Sequence, residues 1–519
     1  MARRGAGTTR VGAPADLDAA LLGLSTEALR EVVHEVLLEL DDRTRARVAG
    51  AIIARAARAG AGFTPAALSE DQVFEVLAFV RVAVRAGEAR PSQVDEYLGQ
   101  GSSAFLRRDY RAAHRIFGAL LPPISRGEIY LGQDELVDEV LGVNVAECAA
   151  QYAVSAYMTA PAEARAESVH AAIEPVCGLG NFFQPLQELE RVALEPLPDL
   201  AGFLPRWRGL IAQRLAAERP RGRRFDEERW LSEVVKRLEG ADGLAQIARA
   251  TKSAEALRAW CRSLVEAQDW RAALLAFSEA AELITDADYL RGEFLDGAAV
   301  AARHLGYDDL PGYLERAWRG SPSLPRLRRW LGVHANKALL IDRATNALAA
   351  SPRSARQRAL LHVLLQDLKS AAELLADASG LGWSNDEHPG RLAFPLFAAL
   401  LGGGPWPQRF DVDPPFVAAV DLATPTVEAL LELAGVGRVT DPALRPVLLA
   451  AMTKAAEARI AGLTAAKRRK HYGQAAVLLA TCVACDPSGH AARWAASLRE
   501  TYRYFPALRA EIDRALPAR

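Results

Sequence analysis

The chain has 519 residues, 50% hydrophobic and 24% charged, ordinary proportions for a folded soluble protein. Lys and Arg number 63 against 64 Asp and Glu, a formal net charge of -1, so no global basic excess draws the chain to nucleic acid or anionic lipid. Its length exceeds a single compact core and calls for roughly three domains or a continuous solenoid.

Five cysteines (Cys148, Cys177, Cys261, Cys482 and Cys485) are few, odd in number and mostly set in helical patterns. That argues against a disulfide framework and for a cytoplasmic location. The positive charge is mostly Arg and the filler mostly Ala, as in proteins of GC-rich bacterial genomes, so Arg clusters must be discounted before they are read as sites. The most apolar run, Phe394 to Leu401, is far short of a membrane span.

Residues 1–16 read as a basic, disordered tail, with Asp16 and Asp18 arriving before any apolar segment of signal-peptide type. An N-terminal helical domain then runs over 17–218. Within it Ser69-Glu70-Asp71-Gln72 is a capping box, and Val73, Val76, Leu77, Val80 and Val84 follow on one helical face that ends near Gly87. Asp134, Glu135, Asp138 and Glu139 form two carboxylate pairs at i,i+4. A di-metal bundle would need Glu-x-x-His partners, which are absent, so a solvated acidic face is expected. The Pro/Gly-broken basic stretch Arg219 to Arg224 marks a linker, 219–225. Helical repeats are expected over 226–400, a loop over 401–424 and a C-terminal helical domain over 425–519. Thr64-Pro65 and Thr424-Pro425 look like helix openings, and Pro322, Pro352 and Pro487 like helix ends. No segment alternates as a strand does, so the fold class is all-α.

Four stretches share one spacing. Tyr110, Ala113, Phe117 and Leu120 follow Asp109, Trp270, Ala273, Phe277 and Ala280 follow Asp269, and Leu368, Ala371, Leu375 and Ala378 follow Asp367. Tyr472, Ala475, Leu479 and Cys482 repeat the pattern near the C-terminus. A large residue, then small, large and small ones at helical intervals, suits a helix crossed closely by its neighbour. The pattern resembles the second helix of a tetratricopeptide (TPR) unit, a helix–turn–helix of about 34 residues. The resemblance implies an irregular α-α superhelix. The last fifty or so residues, from Lys470-His471-Tyr472 through Trp494 and Tyr502 to Leu508, are also similar to helical tails of bacterial proteins with a SWIM-type zinc finger. The finger's own Cys-x-Cys and Cys-x-His ligands are absent, so its zinc and nucleic-acid roles do not transfer.

Candidate chemistry is sparse. Cys482 and Cys485 form a CxxC with His471 before it and His490 after it, a set that could hold zinc, but both cysteines fall on packing positions of a repeat helix and core packing is the expected role. The turn Trp383 to Gly390 gathers Ser384, Asp386, Glu387 and His388, types used in acid–base work. Residues adjacent in sequence rarely converge on one atom, so a structured turn is expected. His34-Glu35 lacks the second zincin histidine because Leu38 stands in its place, and no phosphate-binding glycine loop is present.

In TPR-like units, fixed positions of the first helix line a concave groove. Carried over, those positions hold Arg258 and Arg262, then Arg329, then Arg353 and Arg356. Guanidinium groups there would take an acidic peptide or a C-terminal carboxylate. The reading is therefore a non-enzymatic protein-binding scaffold without cofactor or metal. The alternative is a nucleic-acid-associated protein using Arg219 to Arg224 and Lys467 to Lys470, and a metal-dependent enzyme comes third.

Overall fold

A computed structural model describes residues 20–58, 67–134, 136–217, 221–284, 288–350, 352–385, 387–402 and 421–516. The fold is all-helical, with 75% of residues in helix. Among the described residues the only extended pairing is an isolated bridge between Glu88 and Tyr130, and no helix is long and apolar enough to cross a membrane. The predicted tail, Thr64-Pro65 and most of the 401–424 loop lie outside the described residues. The chain forms two compact units, 1–246 and 247–519. The division falls inside a helix, shortly after Gly240 breaks it with φ 64° and ψ -148°. The division thus lies C-terminal to the 219–225 stretch that composition marks as a linker.

Unit 1 contains α1 (Thr26–Glu39), α2 (Asp42–Arg58), α3 (Glu70–Ala86), α4 (Pro91–Leu106), α5 (Tyr110–Ser125), α6 (Val145–Thr159), α7 (Arg165–Ile173), α8 (Pro185–Val192) and α9 (Leu200–Ala216), and α10 (Arg221–Thr251) begins in it. The Ser69 capping box forms on both sides: Ser69 Oγ accepts from the Gln72 amide at 3.2 Å and Gln72 Oε1 from the Ser69 amide at 2.8 Å. The buried face of α3 is Val73, Val76, Val80 and Ala83, while Val84 is exposed. The buried face thus ends at Ala83, one residue before the expected Val84. Phe117 packs so tightly over Gly101 that a Cβ there would stand 2.7 Å from the ring. This is the small–large interlock that the repeat spacing implies. Phe203, Trp207 and Trp230 stack at 5.7 and 6.0 Å to close the far end of the core. Glu233 caps α8 from outside its own chain segment, accepting from the Leu186 and Gln187 amides at 3.1 and 2.9 Å. Its burial raises the carboxyl pKa to about 6. Asp138 and Glu139 sit in a single 3-10 turn, Val137–Glu139, and not on a helix face as expected; Glu135 lies outside the described residues.

Unit 2 contains α11 (Ala254–Glu266), α12 (Trp270–Leu283), α13 (Asp288–His304), α14 (Leu310–Gly320), α15 (Leu324–Gly332), α16 (Lys337–Ala349), α17 (Ala355–Leu364), α18 (Leu368–Ala376), α19 (Gly390–Leu400), α20 (Val427–Ala434), α21 (Leu444–Ala465), α22 (Tyr472–Cys485), α23 (His490–Thr501) and α24 (Pro506–Ala515). Each of α11 to α15 packs on the next, and α18 packs on α21. Pro322, Pro352 and Pro487 follow the ends of α14, α16 and α22 as expected. At 424–426 the cap moves: Thr426 Oγ1 accepts from the Ala429 amide at 3.2 Å, so α20 opens two residues after Thr424. Phe277 rests on Gly297, where a Cβ would clash with the ring, and Trp270 stacks flat on His304 at 3.8 Å.

The repeated spacing has a backbone counterpart in both units. Arg108, Gln268 and Gln366 have φ of 65°, 55° and 60°, in the left-handed region that side chains seldom enter. Asp109, Asp269 and Asp367 come next, each with φ near -80° and ψ of 69–74°, and each side chain caps the following helix. The Asp amides reach back to Ala104, Leu264 and His362 carbonyls at 3.0, 3.0 and 2.8 Å. A left-handed residue closes one helix and an Asp opens the next. Lys467 and Arg468 repeat the backbone angles before α22, with a 3-10 turn added.

Candidate functional site

The five arginines expected to line a groove all lie in unit 2, in unlike environments. Arg258 is held by Glu293, with Nη2–Oε2 at 2.6 Å. Arg262 and Arg353 are exposed and have no carboxylate partner among the described residues. Arg329 and Arg356 are each only 2% exposed. Arg329 Nη1 lies 3.4 Å from Asp296 Oδ1, and its Nε donates to Thr424 Oγ1 at 2.7 Å. These two side chains therefore do not face an open groove. For Arg329 the cause is local: Leu327 to Leu331 of α15 are all buried.

A different set of arginines converges. Arg291 of α13 and Arg316 and Arg319 of α14 line a cleft of 620 Å³ with Tyr313, Ser278 and Glu282. Two helical rows build it: Arg291, Leu295 and Ala298 on α13, and Tyr313, Arg316 and Gly320 on α14, spaced three and four apart so that each row shares a face. The helices approach closely, since a Cβ on Gly320 would press on Leu295 Cδ1 at 2.5 Å. The Arg316 guanidinium lies 4.2 Å from the centre of the Tyr313 ring, which holds the fork in place without neutralising it. Arg319 is tied to Glu315 at 2.7 Å. Arg291 and Arg316 are exposed and have no carboxylate partner among the described residues. Ser278 Oγ donates to the Leu274 carbonyl at 2.8 Å. The cleft offers guanidinium donors for an anion, with Glu282 as a carboxylate in its lining. Its signals, Arg-x-x-x-Leu-x-x-Ala and Tyr-x-x-Arg-x-x-Arg, stand in the sequence away from the positions that line a TPR-like groove.

The other sequence candidates are structural. His388 is 7% exposed. Its Nδ1 accepts from the Gly390 amide at 3.1 Å, which makes Nε2 the protonated nitrogen that donates to the Ser379 carbonyl at 2.9 Å. Burial pushes its pKa down, and Trp383 covers the ring at 5.0 Å. Both imidazole nitrogens are thus committed to backbone. Ser384 and Glu387 are exposed, and Asp386 lies outside the described residues.

Cys482 and Cys485 are 0% and 1% exposed, packed on α19 and α21 side chains. Burial raises the Cys482 thiol well above its ordinary pKa, and Cys485 Sγ points at the Ala398 carbonyl, 3.9 Å away. His490 is exposed and bonded to Ser488 at 2.7 Å. Among the described residues no group of three or more His, Cys, Asp or Glu is arranged to hold a metal ion. In the native protein, Ellman's reagent is expected to titrate half-buried Cys177 and to reach the four buried thiols only after denaturation. Fast reaction at Cys482 or Cys485 would show that α22 opens. Lys467 to Lys470 are exposed, whereas 219–220 lie outside the described residues.

Compared with known proteins, the chain matches no protein-family model and no curated protein sequence.

Proposed function

We propose that the chain is a non-enzymatic, TPR-like helical scaffold of the cytoplasm that captures an acidic peptide segment in the cleft between α13 and α14. The observation that carries this reading is the convergence of exposed Arg291 and Arg316 on one cleft with Tyr313, without carboxylate partners among the described residues. The left-handed-residue-plus-Asp turn, recurring at three marker helices, supports the repeat character. A guanidinium fork binds a carboxylate through two charge-assisted bonds, and an aromatic wall adds contact to the peptide's stem.

A fluorescein-labelled hexaglutamate peptide tests it. Binding should be saturable and weaken from low to high salt, since screening acts over about 8–10 Å. Arg291→Glu combined with Arg316→Glu should weaken binding by roughly tenfold or more, as each lost charged bond costs about 1.5–3 kcal/mol. Helicity should stay unchanged, and Arg353→Glu should behave as the parent. Equal affinity in the double variant would refute the site, and preference for a single-stranded oligonucleotide over the peptide would move the assignment to the exposed run Lys467 to Lys470.

A further inference from the structure

The first two helices of unit 1 leave an apolar face uncovered. Along α1, Leu29, Val32, Val33, Val36 and Leu37 fall on one side of the helix, at the three- and four-residue steps of a packing stripe. Yet α1 buries none of its residues, on α2 or on any other helix. Val32, Val33 and Val36 of α1 and Ile52 and Ile53 of α2 are all between 40% and 50% exposed. Only Leu40 and Asp41 join the two helices. Arg45 Nε donates to the Leu37 carbonyl and its Nη2 to the Leu40 carbonyl, both at 2.7 Å, which fixes the corner between them. A cavity of 990 Å³ lies between α2 and the helices α4 and α6, so α2 is not sealed onto the core of unit 1. A helix of 14 residues with no buried side chain is marginal in water, and clustered apolar surface of this kind marks an association face.

The charges beside that face select what covers it. The sequence of α1 holds four Glu and one Arg, and that of α2 five Arg and one Asp. Glu35 and Glu39 follow Val32 and Val36 by three residues, and Arg55 follows Ile52 by three, so each apolar seam is edged by charge of one sign. All three are exposed and have no ion-pair partner among the described residues. The face of α1 therefore fits an apolar helix edged with Arg, and the face of α2 an apolar helix edged with Glu. A second copy of the chain offers both. We infer that two copies associate through these helices, α1 of each lying on α2 of the other about a two-fold axis. Both edges are then matched at once, as an isologous contact requires. The four Glu of α1 oppose an anionic membrane surface, which takes helices rich in Lys and Arg.

Sedimentation equilibrium of the full chain is the test. The expected result is twice the monomer mass at micromolar concentration, while Val32→Glu combined with Val36→Glu sediments as a monomer of unchanged helicity. Glu35→Arg with Glu39→Arg should weaken self-association by roughly tenfold or more at low salt, and Arg55→Glu should do the same, because like charges then face each other. Mixing those two variants should restore a dimer, since the reversed α1 of one meets the reversed α2 of the other and the untouched pair keeps its match. A monomer at every concentration, a dimer that survives the two valine changes, or a mixture no tighter than either charge variant alone would each overturn the assignment. Co-sedimentation with phosphatidylserine vesicles, lost in the valine variant, would overturn it by giving the face to a membrane.

Discussion

Asp296→Ala is expected to destabilise unit 2 by about 3–5 kcal/mol, the cost of removing one partner from a buried ion pair. Asp296 is 3% exposed and faces two arginines. Its Oδ2 accepts from Arg326 Nε at 2.8 Å and Nη2 at 2.7 Å, and its Oδ1 stands 3.4 Å from Arg329 Nη1. Arg326 also donates to the Ser321 carbonyl and hydroxyl at 3.0 Å. The network therefore joins α13, α14 and α15 through the Asp296 carboxylate. Asp296→Asn keeps the shape without the charge and should fall between parent and Ala variant. Arg258→Ala, which breaks the exposed pair with Glu293, should cost no more than about 1 kcal/mol. Urea denaturation followed by tryptophan fluorescence reads all three. A loss under about 1 kcal/mol for Asp296→Ala would mean that water reaches both guanidinium groups.

Gly380→Ala should rank beside it. A Cβ at Gly380 would lie inside contact distance of the Ala458 carbonyl oxygen and 2.7 Å from its carbon. Those atoms belong to the middle of α21 and cannot rotate aside as a side chain would. Arg459 Nη1 also donates to the Gly380 carbonyl at 3.2 Å, which clamps this segment onto the helix. Overpacking of this kind costs about 1–3 kcal/mol and exceeds that where backbone is the obstacle. Gly382 is the control. Its φ of +81° penalises a side chain by about 1–2 kcal/mol, but nothing lies within 4 Å of an added Cβ. Thermal melting should place Gly380→Ala below Gly382→Ala, and the reverse order would show that α21 yields.

The helices were legible because each carries its own evidence: the Ser69 box, the Asp109, Asp269 and Asp367 caps, and large–small alternation all act within a few residues. The burial of Cys482 and Cys485 followed from the same spacing. Periodicity shows which face of a helix is apolar but not what lies opposite it. Arg329 looked like a groove residue because its partners, Asp296 and Thr424, stand 33 and 95 residues away. Arg291 and Arg316 went unselected for the same reason, since a cleft between two helices is a property of their pairing. The basic stretch at 219–224 looked like a boundary on composition, yet helix already runs from Arg221.

The turn formed by a left-handed residue and an Asp also bears on the order of folding. Reversal of direction at Gln268–Asp269 uses hydrogen bonds reaching no farther than Leu264 behind and Ala273 ahead, so the hairpin of α11 and α12 closes across very few residues. The α18–α21 pairing instead encloses all the chain between Ala376 and Leu444. Loop-closure entropy grows with that length, and contacts near in sequence form fastest. Hairpins built on this turn are nuclei that need no distant support, and the docking of α21 is a late step that secures structure already present.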